Sequence, residues 1–147
     1  MTRRIALRLA AAGAGLITAY GCASVERISG WSPSPCHDTT VSLYFESASD
    51  TVSDVGLQII DATSKHLRGC KVSEIKLLGL SDATGSPSDN LDLSKRRADH
   101  VLDAFVRAGL PVPKYTLVAA GGNGAVTPQG AVEPLRRRVD VTVSARK

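Results

Sequence analysis

Aromatic side chains are scarce in this chain, at 4% of 147 residues, with Phe45 and Phe105 the only phenylalanines and Trp31 the only tryptophan. A core must therefore be assembled from Leu, Val, Ile and Ala. The interleaved aromatic platforms on which single-stranded nucleic acid stacks are missing. Cysteine is nearly as rare. There are three, Cys22, Cys36 and Cys70, and their spacing to His37 and His66 does not give the paired ligands of a zinc site. His37, His66 and His100 form no triad pattern, and Gly-x-Ser-x-Gly is absent, which argues against a hydrolytic enzyme. Gly121-Gly122-Asn123-Gly124 is glycine-rich, but the Lys-Ser or Lys-Thr of a phosphate-binding loop does not follow it. Neither a metal nor a cofactor is expected. Internal repeats are also absent. The apolar run Leu9 to Ala19 is too short to cross a bilayer comfortably.

That run has a different use. Arg3, Arg4 and Arg8 precede it as a basic flank, and Tyr20-Gly21-Cys22 closes it, the layout of a secretory signal. Ala19-Tyr20-Gly21-Cys22 resembles a bacterial lipobox, with Ala19 in place of the usual Leu and a bulky Tyr20. By that resemblance Cys22 becomes the lipidated N-terminus, held by several acyl chains at about 0.8 kcal/mol per buried methylene. The alternative is plain cleavage near Ala19 or Ala23. Ala23, rather than Asp, after the cysteine points by analogy with enteric sorting to the outer membrane. Removing residues 1–21 takes away three arginines and no acid. The formal +4 thus falls to +1, 15 basic against 14 acidic residues, which is no electrostatic footprint for nucleic acid. Cys36 and Cys70 remain. In an oxidising compartment they are able to pair; otherwise they are two thiols.

Residues 22–38 lack periodicity, and Trp31-Ser32-Pro33-Ser34-Pro35 reads as a linker. From residue 39 to 147 the patterning is that of one α/β domain. Val41 to Phe45 alternates as a strand, Glu46 to Asp50 is a polar loop, and Ser53 caps a helix running to about Arg68, where Gly69 stops it. Its apolar positions are Val52, Val55, Ile59, Ala62 and His66, joined by Gly56, Ile60 and Leu67. Val72 to Leu80 is a second strand, so strand, helix and strand predict a right-handed unit with parallel strands. A helix from about Asp89 to Ala108, a strand Tyr115 to Ala120, a glycine-rich turn, and a strand Arg138 to Ala145 complete an α/β sandwich of about four strands, with helices mainly on one face.

The chemistry collects between Gly79 and His100. With 100° per residue and Asn90 at 0°, Leu91, Ala98, Val101, Leu102 and Phe105 occupy about 20° to 120°, and Arg97 falls near −20° beside Asn90. Asp82 ends the preceding strand and is directed to the same region, outside the carboxyl ends of the strands. A carboxylate and a guanidinium so placed suit a zwitterion. Asp82 accepts from an ammonium, and Arg97 grips a carboxylate with two parallel bonds. The same two residues are equally able to pair with each other, or to stand solvated.

Gly79-Leu80-Ser81-Asp82-Ala83-Thr84-Gly85 followed by Asn90-Leu91-Asp92-Leu93-Ser94-Lys95-Arg96-Arg97-Ala98 resembles the core motif of the OmpA-like peptidoglycan-binding family, Gly-His-Thr-Asp-x-x-Gly and then Asn-x-x-Leu-Ser-x-x-Arg-Ala, without a gap. Phe45 with Ser47, Gly109-Leu110, Gly122 with Pro128, and Arg137-Arg138-Val139 are further marks, so the likeness covers residues 39–147. Leu80, Ser81 and Arg136 depart from the usual His, Thr and Asn. The resemblance implies a βαβαββ domain, not an enzyme, most like the small Pal-type lipoproteins. It implies as ligand the diaminopimelate of the peptidoglycan stem, with Asp82 on the amine, Arg97 on a carboxylate, Asn90 lining the site and Leu93 packing beside it. It implies tethering of the outer membrane to the cell wall, with Tol-type or outer-membrane proteins as partners. The alternative is an accessory module of an envelope complex that binds proteins more than wall. Cys22→Ser is expected to abolish metabolic labelling with palmitate; labelling that persists would refute lipidation at this position.

Overall fold

The structure is a computed structural model and describes residues 36–147. Cys22, the signal segment and most of the linker lie outside the described residues. The domain runs β1 (Thr39–Tyr44), α1 (Asp54–His66), β2 (Lys71–Gly79), α2 (Pro87–Arg107), β3 (Tyr115–Ala119), a short 3-10 turn (Pro134–Arg136) and β4 (Arg138–Arg146). The strands form one mixed sheet in the order β1-β4-β2-β3. This is the expected α/β architecture, with both helices contributing to one core over one sheet face.

One expectation about topology changes. β1 and β2 are parallel, but they are not neighbours, because β4 lies between them and runs antiparallel to both. The burial of β4 is consistent with that place. Val139, Val141, Val143 and Ala145 are each 0% exposed. A strand with one uniformly apolar face belongs at the centre of the sheet, where the core covers it. β3 pairs parallel with β2, from Ile75 opposite Tyr115 to Gly79 opposite Ala119, so α2 is the crossover of an adjacent parallel pair. In β2 the buried residues are Val72, Ile75, Leu77 and Gly79. The step of three between the first two coincides with a register shift against β4 between Val72 and Glu74. A bulge absorbs the extra residue and restores the alternation.

Ser53 caps α1, its Oγ accepting from the Gly56 N–H at 3.1 Å. The helix buries Gly56, Ile60, Thr63 and Ser64, followed by Leu67, whereas Val55 is 64% exposed. The buried stripe is therefore rotated away from the one the apolar residues drew. Thr63 is tolerated inside because its hydroxyl donates to the Ile59 carbonyl. The structure also joins Cys36 to Cys70, 34 residues apart, tying the start of the domain to the head of β2. Closing such a loop contributes about 3–4 kcal/mol in the chain-entropy description. Asp38 secures the same end, accepting from the Ala145 N–H and the Arg146 guanidinium.

α2 lies close on the sheet at Gly79. A Cβ there would stand 2.1 Å from the Ser94 carbonyl oxygen, so only glycine lets strand and helix approach this closely. Gly79→Ala is expected to lower stability by about 3 kcal/mol, at the upper end of overpacking costs, read as an earlier urea midpoint with an unchanged m value.

Candidate functional site

The site is built where β2 ends and α2 begins. Leu80 continues the sheet, its N–H donating to the Arg138 carbonyl, and Ser81 is held by the Gly121 carbonyl. The chain then turns through Gly85, whose φ of 96° suits glycine. Ser86 starts the helix, its Oγ accepting from the Asp89 N–H at 3.1 Å, with Pro87 in the first helical turn.

Along α2 the buried positions are Asn90, Ser94, Arg97, Ala98, Val101, Ala104 and Phe105. At 100° per residue these span about −40° to 80°. Asn90 and Arg97 thus lie inside the buried arc, with Ala104 beyond Arg97, and Leu91 is 48% exposed. Hydrogen bonds hold this part of the helix against the neighbouring loops. The Asn90 carbonyl accepts from Ser81 Oγ, and Ser94 Oγ donates to the Leu91 carbonyl while accepting from the Gly121 N–H.

Arg97 is the most deeply committed. It is 0% exposed, and its guanidinium donates to three backbone carbonyls: Ser49 from Nε (2.7 Å), Glu46 (3.0 Å) and Leu80 (3.2 Å) from the terminal nitrogens. It also lies 5.0 Å from the centre of the Phe45 ring. Burial pushes its pKa below the usual arginine value, and the nearby Asp82 charge partly opposes that shift. Among the described residues no carboxylate comes within ion-pair distance of Arg97. Asp82 has a different partner, Arg137, at 3.1 Å, and its other oxygen accepts from the Thr84 N–H. The direct Asp82–Arg97 pair that the sequence left open does not form.

Asp82, Asn90 and Leu93 line one cleft of about 320 Å³, together with Ser47, Ala48, Thr84, Gly85, Asp89 and Arg96. Arg97 does not line it. It is held by the 46–50 loop, whose Ser47 and Ala48 form part of the cleft wall. Arg96 ties that loop from outside, pairing with Asp50 at 2.8 Å, and His100 Nδ1 donates to the Asp50 carbonyl at 2.8 Å. His100 is thus tied to the loop as well as half-exposed. Arg137 and Arg96 are functional candidates the sequence reading missed. Arg137 was visible only as a mark at the start of the last strand, and nothing local connects it to a residue 55 positions away. The three departures from the family motif each make a defined contact, although the buried Arg136 Nε has no hydrogen-bond partner among the described residues. Leu80 is buried and lends its carbonyl to Arg97; Ser81 bonds the Asn90 carbonyl; Arg136 reaches the Asn123 carbonyl across the 121–124 turn.

The fold and cleft define a small α/β domain with a charged cleft at the ends of its parallel strands, and comparison with known proteins places it. The OmpA family profile matches residues 44–138, and the chain belongs to that family, whose domains are structural and not enzymes. Outer membrane protein A of Yersinia pseudotuberculosis is 43% identical over 75 residues, 50% of this chain and 20% of that protein. The probable lipoprotein YiaD of Escherichia coli is 26% identical over 102 residues, 68% of this chain and 47% of that one. The chain thus spans under half the length of either relative. Among solved structures, the peptidoglycan-associated lipoprotein of Burkholderia pseudomallei superposes with a TM-score of 0.59 at 22% identity, covering 69% of this chain and 88% of that one, a likeness of fold.

Two outcomes test the site's construction. Arg97→Ala should destabilise the domain by roughly 3–5 kcal/mol, since it leaves the buried Leu80 carbonyl without its donor, cuts two part-buried bonds to the 46–50 loop and empties the space beside Phe45, whereas Arg96→Ala should cost under about 1 kcal/mol, measured by denaturant unfolding. The Arg96 hydrogen bond holds the Asp50 carboxyl below its ordinary value of 3.8. The tie is therefore fully present above the unfolded carboxyl range and fades as pH falls through the lowered value. A chemical-shift titration should place Asp50 below 3.8, and Arg96→Gln should return it upward.

Proposed function

We propose that the cleft binds the zwitterionic end of diaminopimelate in peptidoglycan stem peptides, and that the domain holds an envelope component to the cell wall. The observation that carries this reading is the disposition of charge. A nearly buried carboxylate opens onto the cleft, and behind the wall a buried guanidinium lacks a carboxylate of its own among the described residues. A buried cation without an anion is costly. Three of the five Arg97 donors are assigned to protein carbonyls, which leaves two. An incoming carboxylate lowers that cost, and an ammonium on Asp82 shares the carboxylate that Arg137 now occupies. The ionised side chains that line the cleft are Asp82, Asp89 and Arg96, so groups of both signs are present for a ligand charged at both ends. Asn90 and Leu93 fix its orientation and exclude water.

The kinship with an outer membrane protein and a lipoprotein supports an envelope location. In this reading residues 1–21 are a lipoprotein signal, Cys22 is acylated, residues 22–38 are the tether and residues 39–147 the wall-binding domain, with Tol-type or outer-membrane proteins as further partners. Weak single contacts suffice when a membrane-held domain faces a polymer of repeated sites. The accessory-module alternative draws its support from the Asp82–Arg137 pair, which already occupies the carboxylate in the free domain.

Co-sedimentation with purified diaminopimelate-type sacculi tests the proposal. The protein should pellet with the wall, and Asp82→Asn, which keeps the side chain's size, should weaken binding at least about tenfold, the loss of one charge-assisted contact. Equal binding by wild type and Asp82→Asn removes Asp82 from the site. No binding by the wild type favours the interaction module.

A further inference from the structure

Residues 82–87 separate two clefts. Asp82 and Thr84 line the charged one, Ala83 and Pro87 line a second of about 400 Å³, and Gly85 and Asn90 belong to both. Gly85 is the saddle between them. A Cβ at this position would meet nothing within 4 Å, so the turn faces open space where the two clefts adjoin.

The second cleft differs in chemistry from its neighbour. Its side-chain walls are Ala83, Pro87, Leu91 and Ala120, and backbone from Gly121 to Asn123 completes it. No ionised side chain lines it. Leu91 is the apolar residue that helical periodicity assigns to the core, yet it stands 48% exposed here. The small side chains leave room for methyl-sized groups, and burying each one against Leu91 and the alanines is favourable. Asn90 and the Gly122 N–H supply hydrogen-bonding groups, the latter without an acceptor among the described residues.

We propose that this second cleft receives the short apolar residues joined by an amide to the zwitterionic residue. The domain would then distinguish a stem that continues past diaminopimelate into alanine from one that ends there. Methyl groups lie against Leu91, Ala83 and Ala120, the linking amide crosses the Gly85 saddle, and the Gly122 N–H donates to a carbonyl or carboxylate oxygen of the extension. The inference rests on the zwitterion reading of the first cleft, and the test separates the two.

The probes are a diaminopimelate-type muropeptide tripeptide and the corresponding pentapeptide ending in two alanines, titrated calorimetrically into the full chain. The wild type should bind the pentapeptide about tenfold more tightly than the tripeptide. Leu91→Asp, at a half-exposed helix position, should reduce that ratio to about twofold or less and leave tripeptide affinity unchanged; Leu91→Met, which keeps the wall apolar, should retain the ratio. Asp82→Asn should weaken both probes. Equal wild-type affinities, or an equal loss of both probes in Leu91→Asp, overturn the second cleft's role while leaving the first intact. Failure of the wild type to bind either probe overturns both.

Discussion

Arg97 is the side chain on which the site's shape depends. One planar cation, sealed from solvent, collects a carbonyl from the end of β2 and two from the loop after β1, and it does so from the middle of α2. Three chain segments distant in sequence are thereby fixed to one group with directional bonds. Lysine offers no such fork. The Phe45 ring beside the guanidinium adds an apolar surface that also has a negative face, so the buried cation has a carbonyl on each of its three nitrogens and its charge partly screened. The 46–50 loop has no regular hydrogen-bond ladder, and this anchor, with Arg96 and His100 outside it, is what gives the cleft a defined wall.

Electrostatic economy follows from that arrangement. The protein leaves Asp82 and Arg97 near each other without pairing them, and interposes Arg137 on the carboxylate. A ligand with both charges has something to gain at each end, whereas a simple anion or cation gains at one and leaves the other uncompensated. The OmpA family match, residues 44–138, contains every side chain of this charge pattern.

Much of this was readable from local pattern. The alternation of Val139, Val141 and Val143, the cap at Ser53 and the motif around Asp82 need only neighbouring residues to be recognised, whereas the second helix starts at Pro87, capped by Ser86, two residues before the expected Asp89. What escaped is nonlocal. The placement of β4 between β1 and β2 depends on which strand the core covers best, a comparison across the entire chain. Helical periodicity counted Asn90 and Arg97 as polar and moved them to the edge of the buried arc. Both are buried, Arg97 on three tertiary hydrogen bonds, while Leu91 stands half-exposed. Asp82 finds Arg137 across 55 residues, a pairing set by the entry angle of β4 and not by any spacing near Asp82.

The Cys36–Cys70 bond has a mechanical meaning. Cys70 stands at the head of β2, and the cleft lies past its other end, about 30 Å along nine residues of extended strand. Tension applied through the chain before Cys36 does not have to peel β1 from the sheet's edge one hydrogen bond at a time. It passes across the covalent bond into β2, which is paired on both sides by β4 and β3 and so resists shear along many bonds at once. The disulfide and the cleft thus sit at opposite ends of the same interior strand, so a pull between them would run in line with it.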